Sequence, residues 1–455
     1  MWAMPPLRSV GICLSFLVAS LVIAETGSAQ SFTGDARAVG MGGGGKTANI
    51  ALGMVEPAGG YSVIPIPLGL IQVLPNLEAF DPSSDQFDPA WAAESAANPI
   101  HYTFNRKTAG GDDPVARFMR DLVNGELNRD LATYSSFHLP LTLTGEGLAS
   151  PAWGKTFKFA KRSTGAYQGI FIGAGPYFSF GTDNTFDPRL SDIFENGTHY
   201  PNSSLLVTDA SQIQMAMSIV FGYRTRLVVP AWSGGRDGVY LAANYRYLRG
   251  FKYLQPDTTV RFDTDAQGLI TLNPTTTPIV INDLEADKGT GRAVDVGVQF
   301  VRDRWEGGVG VNGIGNKIDW TEITLKRFTQ NSLTAGGDFV EQTIANPPGT
   351  LPVELPIVTT GNIGYDGEGY AFKAAIVHGF NGNGFHGGAE KTFGSIAVRG
   401  GARLSRGFWD PTWGIGFGRR VGVDIGFYGS HSNLEEKQQF SMALSIRIAR
   451  NRSTL

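Results

Sequence analysis

The run "GMGGGGKT", Gly40 to Thr47, has the spacing with which a P-loop cradles phosphate: one glycine, four residues, then Gly45, Lys46 and Thr47. In such a loop, backbone N–H groups and the N-terminus of a following helix converge on the anion. The flanks here do not supply that frame. "SFTGDARAV" is polar where a buried strand is needed, and "ANIALGMVEP" is broken by Gly53 and ended by Pro57. His431 and Ser432 in "GSHSN" are residue types of a base and a nucleophile. Neighbours along a strand point to opposite faces, however, and no third group that would orient the base can be named. The acidic stretches "FDPSSDQFDPAW" and "TDNTFDPRLSD" carry oxygen ligands suited to Ca2+, but neither has the EF-hand spacing and Asp-Pro pairs are ordinary turn formers. The chemistry-bearing residues therefore point to no enzyme, no cofactor and no metal.

The elements that hold these residues are read from the N-terminus onward. Arg8 is followed by an apolar run from Val10 to Ala24 and by Gly27 and Ala29, placed like the −3 and −1 positions of a cleavage site. That pattern is an export leader over residues 1–29, shorter in its apolar part than the ~20 residues of a membrane-spanning helix. Cys13, the only cysteine, lies in the leader, so the exported chain is expected to have no disulfide. The 60 glycines among 455 residues are about twice the usual share, whereas charged residues are only 17%. With a net charge of −3 and no basic stripe, nothing suggests nucleic acid.

The dominant pattern is alternation. "QFSMALSIRI" sets Phe440, Met442, Leu444, Ile446 and Ile448 against Ser441, Ala443, Ser445 and Arg447. "VGVDIGFY" sets Val421, Val423, Ile425 and Phe427 against Gly422, Asp424 and Gly426, and "AVDVGVQF" sets Val294, Val296, Val298 and Phe300 against Asp295, Gly297 and Gln299. "IQMAMSIVFGYR" and "GVYLAANYRY" read the same way. This is period-two strand. A soluble sandwich also alternates, but its second face would be rich in Lys, Glu and Thr. Here that face is Gly, Ala and Ser with an occasional charge, which suits the crowded polar interior of a membrane barrel whose apolar face meets lipid. Tyr245, Tyr247, Phe251 and Tyr253, and likewise Phe408, Trp409 and Trp413, suit interfacial girdles. Short turns such as "DGEG" and long polar stretches such as Thr182 to Ser203 separate about fourteen spans.

Three pieces depart from the pattern. "DDPVARFMRDLVNGEL" reads as a short amphipathic helix behind an Asp112 cap. "SVIPIPLGL" lacks two backbone donors at Pro65 and Pro67 and fits poorly in a closed barrel. "GIFIGAGPYFSF" is a strand interrupted by Gly173, Gly175 and Pro176, where a bulge or kink is expected.

"DARAVGMGGGGKTANIALGMVEPAG" resembles the start of outer-membrane barrels of the long-chain fatty-acid transporter superfamily, including its PorV-like and conjugal-transfer F-like branch. The matching residues are Ala36, Arg37, Ala38, Gly40, Met41, Gly42 and Gly43, then Pro57, Ala58 and Gly59, with Glu56 where the family usually has Asn. "VDVGVQFVRDRWEGGVGVNGIGNKIDW" and "FHGGAEKTFGSIAVRGGARLS" are similar to its later strands. The resemblance implies an all-β fold, a transmembrane antiparallel barrel of about fourteen strands, with an N-terminal plug over residues 30–60 containing Arg37, Gly40, Met41, Gly42, Gly43 and Pro57, and the barrel over residues 61–455. It further implies passive movement of hydrophobic small molecules across the outer membrane, with Gly173, Gly175 and Pro176 as a lateral opening. The partners expected are outer-membrane lipid, a hydrophobic ligand and the barrel assembly machinery. The alternative, from the PorV-like branch, is a barrel that binds secreted or envelope proteins within a secretion or conjugation apparatus.

Overall fold

A computed structural model describes residues 35–43, 49–55, 61–66, 101–104, 118, 121–122, 125–135 and 139, and 141–449 apart from 151, 163, 230–231, 233–234, 335–338, 381, 406–407, 419–420 and 432–437. The leader, Lys46, Thr47, Pro57, Pro67 and most of the expected helix after Asp112 lie outside the described residues.

Among the described residues the chain forms one antiparallel sheet of eighteen segments. In order these are β1 Tyr61–Ile66, β2 His101–Phe104, β3 Thr142–Ala149, β4 Trp153–Phe159, β5 Tyr167–Phe186, β6 Ser204–Leu227, β7 Gly238–Asp263, β8 Ile279–Arg302, β9 Trp305–Gln330, β10 Val340–Thr343, β11 Leu351–Glu354, β12 Val358–Gly367, β13 Tyr370–Gly379, β14 Gly382–Phe393, β15 Ile396–Ser405, β16 Phe408–Phe417, β17 Val421–His431 and β18 Gln438–Ala449. β1 and β2 both pair with β18, β3 and β4 both pair with β5, and β10, β11 and β12 all pair with β9. The eighteen segments therefore occupy fourteen positions; among the described residues successive positions pair in sequence order from β3 and β4 through β18, and β18 pairs in turn with β1 and β2. "SVIPIPLGL" departs from its reading, since β1 holds Pro65 opposite Ser445. Among the described residues β1 pairs only with β18, so the proline's missing donor faces no second partner.

Polarity is inverted over much of the sheet. In β6, Gln214, Ala216, Ser218, Val220 and Arg224 are buried, whereas Met217, Ile219, Phe221 and Tyr223 are exposed. Asp295, Gln299, Asp424 and Ser445 are buried in the same manner, with Val296, Phe300, Val421 and Val423 exposed. The face that alternation marks as apolar is the outer one. Tyr245, Tyr247, Phe251, Trp409 and Trp413 lie on it, but Tyr253 is buried against Trp320. The register between β6 and β7 slips by one residue beside Phe251, and a one-residue bulge exchanges the two faces beyond it.

β6, β7, β8 and β9 run for 24 to 26 residues, far longer than the ~10 needed to cross a bilayer. Beyond the bulge the inner face becomes apolar. Leu205, Val207, Val260, Phe262, Ile279, Ile281 and Phe328 pack there against Leu190, Ile193 and Phe194 of helix α2, Pro188–Asn196, numbered after α1, Ala36–Gly40. The polar stretch after Thr182 is thus partly strand and partly helix. Asp187 caps α2 by accepting from Arg189 N–H, Pro188 fills the first turn, and Gly197 at φ 68° closes it. The Arg189 side chain, bonded to Asp187, holds that carboxyl below the usual carboxylate range. Asp192 is bonded by Tyr200, so Asp187 and Asp192 of "TDNTFDPRLSD" are engaged in local structure.

Candidate functional site

Two features meet on the inner face: a seat for the N-terminal segment and a cavity beside it. Asp35 Oδ1 caps α1 by accepting from Arg37 N–H and Ala38 N–H. At the other end Gly42 and Gly43 adopt φ 71° and 82°. Gly43 N–H donates to Ala38 O at 2.7 Å and Gly42 N–H to Val39 O at 3.1 Å, the two bonds of a Schellman stop. Gly42 N–H also reaches Thr412 Oγ1 at 2.9 Å. Of the glycine amides that a P-loop would turn toward phosphate, those of Gly42 and Gly43 are therefore bonded within this turn and to the wall. His386 Nδ1 lies 2.8 Å from Gly42 O, and because a carbonyl only accepts, Nδ1 carries the proton.

The wall beneath is glycine. A Cβ on Gly388 would lie 2.6 Å from Met41 Cα, one on Gly401 2.8 Å from Gly42 N, and one on Gly414 3.3 Å from Gly40 Cα. Gly426 meets Ala36 O and Gly40 N in the same way. Further along, Gly310 would crowd Asn49 Cα at 2.6 Å, and Asn49 Nδ2 donates to Gln299 Oε1 at 2.9 Å and Asn362 Oδ1 at 3.1 Å. Five glycines on five strands thus form a track that meets residues 36–42 and Asn49.

Charge fixes the segment to the track. Arg37 binds Glu390 through two bonds of 2.9 and 2.8 Å, and Arg399 Nε donates to Glu390 at 2.6 Å and its Nη2 to Asp424 at 2.7 Å. Arg447 lies 3.2 Å from the other oxygen of Asp424. Signs alternate along this chain, and the Arg399 and Asp424 side chains have no exposure. Buried charges are sustained only where each is paired, as here.

The cavity, of about 130 Å3, begins at Gly43 and His386. Its polar wall comes from β9, where Gly313 and Gly315 at φ 76° and 62° make two successive bulges against β8 between Asn312 and Lys317. Asp295 binds this region together: Oδ1 accepts from Gly313 N–H at 3.1 Å and Oδ2 from Arg246 Nε at 2.5 Å. Arg246 also donates to Ser150 Oγ at 3.1 Å, and Tyr177 OH donates to Asn316 Oδ1 at 3.0 Å. Leu148, Val358, Val377 and Phe380 complete an apolar side.

Of the residues expected in the plug, Arg37, Gly40, Met41, Gly42 and Gly43 sit together on the glycine track. Gly173, Gly175 and Pro176 are not at a bulge: β5 stays in register with β6 through Gly173↔Val220 and Pro176↔Met217. The interruption is on the opposite edge, where pairing passes from Ala149↔Phe178 to Trp153↔Ala174 and skips Gly175, Pro176 and Tyr177. A proline without a donor costs least beside such a gap. Tyr177 and Ser150, on its two sides, line the cavity. Arg246 faces inward as the alternation of "GVYLAANYRY" implies, whereas Asn312 and Asn316 are signalled only by "NGIGN", two glycines that break an otherwise regular alternation.

No family model matches the chain, and no curated protein does. Among solved structures it is similar to the Pseudomonas putida toluene transporter TodX, at 12% identity over 72% of this chain and 93% of that one, with a TM-score of 0.33. It is also similar to the Ralstonia pickettii toluene transporter TbuX, at 13% identity over 74% and 98% and a TM-score of 0.33. A mutant porin of Rh. blastica follows at 10% identity over 61% and 99%, with a TM-score of 0.19. The chain is an all-β antiparallel sheet protein. That statement rests on its own strand pairing.

Proposed function

We propose that this protein is an outer-membrane β-barrel through which small hydrophobic molecules move passively, with residues 30–60 as its plug. The observation that carries the reading is the inverted polarity, a belt of exposed Ile, Val, Phe and Trp around an interior of paired charges and glycine. Turning Asp295, Asp424 or Arg399 outward would put a charge in lipid, which for Arg at the midplane costs about 2–4 kcal/mol. The cavity lies between the described end of the plug at Gly43 and the stretch Gly175–Tyr177, which among the described residues pairs with β6 alone, so a ligand released from it has a short way to the wall. No energy source enters: a displacement of the plug and diffusion suffice.

The test is uptake of radiolabelled toluene or a fatty acid by cells whose outer membrane contains this chain, beside single-channel recording of the purified barrel. Saturable uptake above that of cells lacking the protein supports the reading. Uptake equal to that of the control, with an envelope protein retained by the purified barrel, would replace it with the interaction role.

A further inference from the structure

The cavity wall is not that of a hydrocarbon site. Asn316 is 3% exposed, and its Oδ1 is taken by Tyr177 while no group among the described residues satisfies its Nδ2. Asn312, which also lines the cavity, likewise has a buried Oδ1 without a hydrogen-bond partner among the described residues. One is a donor and the other an acceptor, and each left unsatisfied in a buried site is costly. Both flank the double bulge at Gly313 and Gly315, a backbone conformation that L side chains rarely adopt and that bulges use to re-aim side chains. The charges do not ask for an ion. Arg246 is already bound to Asp295, so the pair adds no net charge for an anion to neutralise. About 130 Å3 is close to the ~150 Å3 that accepts benzene in a dry apolar cavity.

We infer that the cavity between the plug and the β9 bulge is a binding site for neutral, single-ring-sized molecules that carry a hydroxyl or comparable hydrogen-bonding group, held by Asn312 and Asn316 with the ring against Val358, Val377 and Phe380. The inference rests on the transport reading and names the substrate class that the site selects. A plain hydrocarbon fills the apolar side and leaves both amides unsatisfied. A phenol both donates and accepts. A carboxylate of the same size brings an uncompensated charge.

p-Cresol, p-xylene and p-toluate are near-isosteres that differ in this one group, and binding of each to the full chain in detergent is measured by titration. Each ligand is compared between wild type and Asn316→Leu, so that partition into detergent cancels. p-Cresol should bind saturably and lose about tenfold in affinity in Asn316→Leu, the effect of one buried hydrogen bond, while p-xylene holds or gains. Asn312→Leu should act in the same direction, and heat-modifiable mobility on gels verifies that each variant is folded. A second substitution, Asn316→Asp, keeps an acceptor for Tyr177 and removes the donor, and should also weaken p-cresol. Equal losses for p-cresol and p-xylene, no loss for either, no p-cresol binding to the wild type, or p-toluate binding most tightly would each overturn the inference. Toluene or fatty-acid uptake in cells judges the transport reading separately: saturable uptake with no cresol preference removes this inference alone.

Discussion

Gly401 and its neighbour Gly400 offer a controlled test of the seat. A Cβ on Gly401 would lie 2.6 Å from Gly387 O and 2.8 Å from both Gly42 N and Met41 C, whereas one on Gly400 meets nothing within 4 Å. All three atoms are backbone, so no rotamer change can clear them. Gly42 N and Met41 C belong to the segment, which must lift by about half an ångström to restore ordinary contact, while Gly387 O belongs to β14, which must give as well. Overpacking of this kind costs about 1–3 kcal/mol, which corresponds to about a 5- to 150-fold rise in the population with the segment displaced. Because Cys13 is the only cysteine, a Cys13→Ser background with Ala38→Cys carries one reporter thiol at a buried position of α1. Its rate of maleimide labelling reads the displaced population. Gly401→Ala should be labelled several-fold faster than this parent, and Gly400→Ala at the parent rate. Equal rates for the two alanine variants, or a parent labelled as fast as a free thiol, would refute the seat.

Ile376 is 61% exposed on β13, and Ile376→Arg should cost about 2–4 kcal/mol if that face meets lipid near the midplane, read as loss of heat-modifiable barrel in membrane fractions; a soluble sheet would tolerate it. Trp320 is fully buried against Gly250 and Gly289 and donates to Gln214, so Trp320→Ala should lower stability by about 3–5 kcal/mol in denaturant unfolding. The Asp187 carboxyl is depressed from 3.8, so its contribution to α2 is full above that value and is lost as pH falls through the lower folded value. Hydrogen exchange of residues 188–196 should accordingly rise only in strong acid, and Asp187→Ala should remove that dependence. Pro176→Val supplies the missing donor beside the gap in β3 and β4 and should reduce uptake of a hydrophobic substrate several-fold without loss of fold; unchanged uptake would separate the gap from passage.

Strand faces were legible because alternation is local: Asp295, Asp424 and Arg447 needed only their neighbours to be assigned inward. The number of sheet positions followed from the same pattern. What the sequence did not carry was length and slippage. The polar outer faces of β6 to β9 beyond the belt of exposed apolar residues resemble loop, and the bulge that turns Tyr253 inward depends on β6 and β7 together. Asp187, Pro188 and Gly197 were readable helix signals within a stretch taken as loop. The wall glycines were seen as a crowded interior, but their crowding comes from a backbone hundreds of residues away, which no local window contains. The charge chain escaped for the same reason, since Arg37 and Glu390 are 353 residues apart. At Pro176 the residue types were right and the partner strand wrong: the irregularity belongs to the neighbouring row.

The seat also sets an order in time. Ala36 N–H donates to Ser445 Oγ, 409 residues further along the chain, and α1 rests on β15, β16, β17 and β18. A chain made from its N-terminus carries residues 35–43 long before any strand that receives them exists, and so non-local a contact forms late. The segment can settle only when β18 has joined β17. An incomplete wall therefore has nothing to hold this segment, and its settling reports that assembly has reached its final strands.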